Sequence, residues 1–169
     1  MTVLVRSRNF NVESFKFRRN GRKIEFYRIV IRKSVTILPI LDDGRIVIEK
    51  QYRPAVRRNI YELPAGHGEK GEDPKQSAIR ELEEETGYLA GDLRLLFVAY
   101  LAPGSSTELM YFYVARKLKK TKANREQDEF ISQSAISFGK ALRMIKDNTI
   151  TDTKTIACLL YYKEFAQKG

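Results

Sequence analysis

The sequence predicts an α+β fold, a mixed β-sheet sandwiched between helices with a β-hairpin extension at the N-terminus. Three observations carry this. Strand-like runs separated by tight-turn dipeptides fill the first third of the chain. A sharply punctuated helix follows a loop rich in Gly and Pro. Two more strand-like runs then precede a helical last third. The order strands, helix, strands, helices favours helices packed on the faces of a mixed sheet.

Asn20-Gly21 lies between FKFRR and RKIEFYRIVIRK and signals a two-residue hairpin. VTILPIL and RIVIEKQYR follow as strands, divided by Asp42-Asp43-Gly44, a second turn signal. The near-continuous apolar run from Val35 to Leu41 predicts a strand covered on both faces. ELPAGHGEKGEDP reads as a loop. The helix after it opens with Asp73 as N-cap, Pro74 at the first helical position and Gln76 as capping-box partner. Gly87 closes it in a left-handed conformation. Leu93–Tyr100 and Leu109–Ala115 read as strands on either side of APGSSTE. SFGKALRMIKDN and TDTKTIACLLYYKEFAQ read as helices, with Ser137 and Thr151 as caps. The expected organisation is an N-terminal strand and hairpin region over residues 1–33 and a main domain over 34–169.

The 169 residues suffice for one domain with a proper core, and 43% hydrophobic against 31% charged residues describes a globular chain. No apolar run approaches the ~18 residues of a membrane span, and the first residues lack the pattern of a signal peptide. The single cysteine, Cys158, cannot form an internal disulfide, and its neighbours ACLLYY predict a buried, inert position. These features point to a cytoplasmic protein. The net charge of +10 fits a nucleic-acid binder or an enzyme that attracts anionic small molecules, and does not decide between them. The chain shows no helix-turn-helix and no aromatic RNA-binding motif, so nucleic acid is not the expected partner.

The chemistry concentrates in GHGEKGEDPKQSAIRELEEETGY, Gly66 to Tyr88. On a helix, Glu81, Glu84 and Glu85 fall on one face, where like charges repel. A divalent cation removes that repulsion, and magnesium prefers such oxygen ligands together with substrate phosphates. A Glu-rich stretch alone is more often a solvated face, so the surrounding residues decide the reading.

The whole segment matches the Nudix box: Gly66, Glu72, Arg80, Glu81, Leu82, Glu84, Glu85, Gly87 and Tyr88 occupy its positions. Tyr88 stands where a smaller aliphatic is more usual. Its seven fixed residues would coincide by chance in roughly one in a million chains of this size at ordinary residue usage. The chain therefore resembles the Nudix hydrolases. The resemblance implies Glu81, Glu84 and Glu85 as ligands of Mg²⁺, with Mn²⁺ as a substitute, and the carbonyl of Ala65 as a further ligand. It implies structural roles for Gly66, Glu72, Arg80 and Gly87, with Glu72 and Arg80 bracing the loop against the helix. Glu84 and Glu85 are carried into the catalytic set. His67, at a variable position of the box, reads as an exposed loop residue rather than a base.

The flanks QYRPA and ELPAG, Pro103 fifteen positions after Tyr88 and the later DTKTIACL resemble the ADP-ribose pyrophosphatase branch. This resemblance runs from about Val35 to the end and is weakest over the first 30 residues. It implies a nucleoside diphosphate derivative as substrate, with ADP-ribose cut to AMP and ribose 5-phosphate by in-line attack of water. Arg53 is matched to an arginine approaching the substrate phosphates, and Glu108 to a contact on the ribose side, with Pro103 and Gly104 in the same loop. A general base is expected in the acidic stretch REQDE, with Glu126 aligned best and Asp128 and Glu129 as competitors. The branch commonly forms a homodimer through its N-terminal strands, although the hairpin at residues 12–32 would equally cap its own domain. The alternatives are a pyrophosphatase for another nucleotide sugar or dinucleotide, such as GDP-mannose or NADH, and a non-catalytic nucleic-acid-binding or regulatory protein of the same fold. One cysteine cannot build the zinc site common in the NADH branch.

Overall fold

The computed structural model describes residues 1–121 and 131–167. Among the described residues, ten strands and three α-helices follow one another. They are β1 (Thr2–Arg6), β2 (Phe10–Arg19), β3 (Arg22–Ile31), β4 (Ser34–Pro39), β5 (Arg45–Arg53), β6 (Arg58–Glu62), β7 (Ala65–His67), α1 (Pro74–Thr86), β8 (Tyr88–Tyr100), β9 (Leu109–Lys120), β10 (Ile131–Ser137), α2 (Phe138–Lys146) and α3 (Thr153–Tyr161). A π-helical turn, Tyr162–Ala166, continues α3. The last segment thus changes helix type near its end instead of running as one α-helix.

Among the described residues the strands fall into three sheets. They are β1-β2-β3, β10-β5-β6 and the mixed sheet β7-β4-β9-β8. In the last, β4 pairs β7 antiparallel and β9 parallel. Every residue of β4 is buried. Its alternation divides the core in two, because successive side chains leave a strand on opposite faces. Val35 and Ile37 join Tyr113 and Ala115 beneath Ala78 and Leu82 of α1. Leu38, on the other face, packs with Ile46, Ile48, Phe112, Val114 and Leu159, so the three-stranded β5 sheet and α3 cover that side. The expected two-sided burial of the Val35 run follows from this layering.

The hairpin turn places Asn20 at φ 51° and Gly21 at φ 75°, as a type I′ turn requires, and pairs Arg19 with Arg22. The β1-β2-β3 sheet meets the rest of the chain at the β8–β9 loop. Ile29 N–H donates to the Ser105 carbonyl at 2.8 Å, and Thr107 N–H donates to the Ile29 carbonyl at 3.0 Å.

The caps of α1 match the sequence. The Asp73 carboxylate accepts from Lys75 N–H, the Gln76 side chain accepts from Asp73 N–H, and Gly87 sits at φ 69°. Ser137 caps α2 by accepting from Lys140 N–H at 3.2 Å. At α3 the expected cap moves by one residue: Asp152, not Thr151, accepts from Thr155 N–H at 3.0 Å. Both residue types serve as caps; the carboxylate also accepts from the Thr155 hydroxyl at 2.6 Å, which fixes the register.

Candidate active site

One short strand and a helix face line part of a cleft of about 930 Å³. Glu81, Glu84 and Glu85 of α1 line it together with Ala65, Gly66 and His67 of β7. The spacing of three and four residues has brought the carboxylates to one side, as a helix demands. They differ in setting: Glu85 is buried, Glu81 is nearly so, and Glu84 stands more open.

Gly66 explains how Glu81 fits. A Cβ on residue 66 would lie 2.1 Å from the Glu81 carboxyl carbon, so only glycine lets the β7 backbone approach it. Behind β7, Ala65 N–H donates to Glu85 Oε2 at 2.9 Å. Gln133 of β10 donates to the Glu85 carbonyl, tying the end of α1 to the β5 sheet.

Arg80 uses all five of its N–H donors. Nε and Nη2 grip the two oxygens of Glu72 at 3.1 Å each. Nη1 reaches Glu81 at 2.9 Å and Glu84 at 3.0 Å, and Nη2 also donates to the His67 carbonyl at 3.1 Å. Glu72 accepts further from Ser77 Oγ at 2.7 Å and from Glu69 N–H at 2.8 Å. The Arg80 hydrogen bonds, with those from Glu69 and Ser77, hold the Glu72 carboxyl down at about 2 against an ordinary 4.5. The two residues brace the Gly68–Asp73 loop against α1, and Arg80 is the internal counter-cation of the acidic face.

With Arg80 and the Ala65 amide engaged in this way, no three acidic, histidine or cysteine side chains among the described residues form a ready metal cage. The donor set still suits a hard cation. Three carboxylates meet a peptide edge on one wall, and the glycine at 66 leaves the Glu81 carboxylate its place there.

The rest of the lining includes residues of β5, β6, the start of α3 and the β8–β9 loop. Arg53 ends β5, and its Nε and Nη2 each donate to a different oxygen of Glu62 at 2.7 Å. Lys154 donates to the same Glu62 carboxylate and lies 3.0 Å from Asp152 Oδ1. Burial alone would raise the Glu62 carboxyl, but Arg53 and Lys154 outweigh it and hold it below its ordinary value. Glu108 lines the cleft and accepts from Ser34 Oγ at 2.7 Å. Desolvation in the cleft wall keeps the His67 imidazole below its ordinary value, against the pull of Glu108, and Arg32 and Arg53 add to the lowering.

The cleft therefore unites Ala65, Gly66, Arg80, Glu81, Glu84, Glu85, Arg53 and Glu108. Glu72 and Gly87 stand behind it as brace and cap. Pro103 and Gly104 are exposed at the tip of the β8–β9 loop and off the cleft lining; Leu101 and Glu108, at its two ends, reach the cleft instead. Glu126, Asp128 and Glu129 lie outside the described residues. His67 is exposed as expected, but it belongs to a strand, and its side chain faces the cleft. Sequence reading missed Glu62, Asp152 and Lys154. The motifs ELPAG and DTKT contain them, but nothing local says that they meet across 92 residues of chain. Cys158 is buried in the core, where burial pushes its thiol up and keeps it inert.

The sequence profile of the NUDIX domain matches residues 30–156. The chain is 37% identical over 130 residues to the ADP-ribose pyrophosphatase of Bacillus subtilis (strain 168), covering 76% of this chain and 70% of the relative. It is 38% identical over 130 residues to the methanol dehydrogenase activator of Bacillus methanolicus, at the same coverage. The GDP-mannose pyrophosphatase of Escherichia coli O1:K1 / APEC is 36% identical over 125 residues, covering 69% of this chain and 65% of the relative. A crystal structure of an ADP compounds hydrolase superposes with a TM-score of 0.87 at 25% identity, covering 99% of this chain and 91% of that one. Nudix hydrolases generally need a divalent metal ion. With its box intact from Gly66 to Tyr88, its acidic helix face turned into a cleft and its family profile matched over residues 30–156, the chain belongs to the Nudix hydrolase family.

Proposed function

We propose that this protein hydrolyses the diphosphate bond of ADP-ribose to AMP and ribose 5-phosphate, with Mg²⁺ as its metal. The carrying observation is the cleft itself: Glu81, Glu84, Glu85, Arg53 and Glu108 line one cavity. An ADP-ribose pyrophosphatase and an ADP compounds hydrolase among the similar proteins support this substrate. Glu81, Glu84 and Glu85, with the Ala65 carbonyl, would hold the metal. Such an ion, when bound, supplies charge neutralisation on the diphosphate and a more acidic water.

The protein's own residues do the rest. Arg80 and Glu72 keep the acidic face in register with the loop. Arg53 offers its guanidinium to the phosphate oxygens, and Glu108 offers a carboxylate to sugar hydroxyls. Water adds at one phosphorus, and the bridging oxygen leaves with the other phosphate. Catalysis rests on positioning and preset charge. The general base is assigned to the acidic stretch that holds Glu126, Asp128 and Glu129, on sequence alone.

The N-terminal sheet supports a homodimer. Leu4, Val5, Phe10, Phe17, Phe26 and Tyr27 are exposed on β1, β2 and β3, a concentration of apolar side chains that a second copy would cover. Light scattering on the eluted protein tests this, and a monomer at micromolar concentration rejects it. No helix among the described residues is long and apolar enough to cross a membrane. We take the protein to act in the cytoplasm on a small molecule.

The deciding experiment is a panel of ADP-ribose, GDP-mannose, NADH and related diphosphates, with product analysis in Mg²⁺ and in chelator. AMP released from ADP-ribose in Mg²⁺, and abolished by chelator, is the expected result. Turnover of GDP-mannose well above that of ADP-ribose would overturn the substrate assignment.

A further inference from the structure

Two of the arginines lining the cleft, Arg53 and Arg80, are built alike and differ in what they leave over. Each applies the side of its guanidinium, Nε with Nη2, to one glutamate. Arg80 then uses its remaining donors on Glu81, Glu84 and the His67 carbonyl, so nothing remains for a ligand. Arg53 carries no such further bonds among the described residues. Its outer edge, Nη1 with the second hydrogen of Nη2, is left over on the cleft wall.

Glu62 is what gives that edge a direction. It closes β6 and its side chain is 4% exposed, too buried to touch a substrate. One oxygen takes Arg53 Nε; the other takes Arg53 Nη2 and Lys154. A two-point grip fixes a planar guanidinium in orientation, where a single contact would let it swing. Lys154 is held on its other side by Asp152, whose second oxygen caps α3. Thr155, in that first turn, accepts from Leu63 N–H at 2.8 Å. Glu62 is thereby fixed between two elements, not carried on a mobile loop.

We propose that Glu62 is a positioning residue for the substrate diphosphate: its buried carboxylate, braced by Lys154, aims the outer edge of Arg53 into the cleft. This rests on the pyrophosphatase reading above. It adds that the affinity of the site for its substrate depends on a residue the substrate never meets.

The test compares Glu62→Gln, Arg53→Lys and the double variant with the parent on ADP-ribose in Mg²⁺. Glutamine keeps the volume but presents an N–H to Arg53 and breaks the two-point grip. Lysine keeps the charge but cannot form it. Each single variant is expected to raise KM about tenfold with kcat within about threefold, the mark of lost binding common to ground and transition states. The double variant is expected to be no worse than either single one, because both remove the same alignment. A purely structural role would lower the melting temperature of Glu62→Gln and leave KM unchanged, which overturns the proposal. Additive KM effects in the double variant overturn it too. If Glu62→Gln does not fold, Glu62→Asp, which keeps the charge but withdraws it from Arg53, decides by the same KM criterion. A parent without activity on any diphosphate would instead reject the pyrophosphatase reading, an outcome distinct from an active parent with an indifferent Glu62.

Discussion

The amide of Ala65 donates to Glu85 Oε2 at 2.9 Å, so the strand that enters the box and the last turn of α1 are joined at one hydrogen bond. The residue whose carbonyl is proposed as a metal ligand is thus tied to a carboxylate proposed for the same ion.

Glu85→Gln follows directly from that bond. The amide oxygen can still accept from Ala65 N–H, so the fold is expected to survive, as circular dichroism would show. The lost charge is expected to cut kcat on the order of a hundredfold or more, since several kcal/mol of charge stabilisation depend on the metal site. Activity within a few-fold of the parent would reject the ligand assignment.

Gly66→Ala separates activity from stability. The new methyl would meet the far end of the Glu81 side chain at 2.1 Å, and that end can swing aside at little cost to the fold. Melting is expected within a few degrees of the parent, while displacement of the carboxylate by about 1 Å is expected to reduce turnover on the order of a hundredfold. Wild-type turnover in this variant would show that the location of Glu81 is unimportant.

Glu72 gives a pH signature. Its folded value of about 2 lies below the ordinary 4.5. A depressed carboxyl contributes stability that is fully present above the unfolded value and is lost as pH falls through the folded one. Melting temperature of the parent is expected to drop between about pH 4.5 and about pH 2 in part through this group. Glu72→Gln should be less stable at pH 7 and should show a shallower fall over that window. Parallel curves would mean that the brace does not contribute.

Asp73→Ala tests the start of α1. Loss of the capping carboxylate is expected to cost about 1 kcal/mol, seen as a melting shift of about 3 °C in a chain of this length. An unchanged melting temperature would mean that the cap seen at Lys75 N–H contributes nothing.

Much of this arrangement was legible where local chemistry decides conformation. Asn20-Gly21 has both residues at positive φ, and Asp73, Pro74, Gln76 and Gly87 all act at the ends of α1 as their types predict. Glu81, Glu84 and Glu85 share a face because helical spacing alone puts them there. What could not be read depends on partners distant in sequence. Strand β7 is only Ala65–His67, and its extended form comes from pairing with Ser34–Thr36. Strand β10, ISQSAIS, is mostly polar and takes its place from β5. The choice of Asp152 over Thr151 as cap turns on Thr155, which also meets Leu63, and no local pattern carries that information. The same holds for the grip of Glu62 on Arg53 and Lys154.

Strand β4 lies beneath α1 on one face and beneath the β5 sheet on the other, and its edges are bonded to β7 and β9. Its amide hydrogens have no local route to bulk water. Deuterium uptake at residues 35–38 should therefore proceed only when the whole molecule opens, and its rate would serve as a direct gauge of global stability in every variant named above.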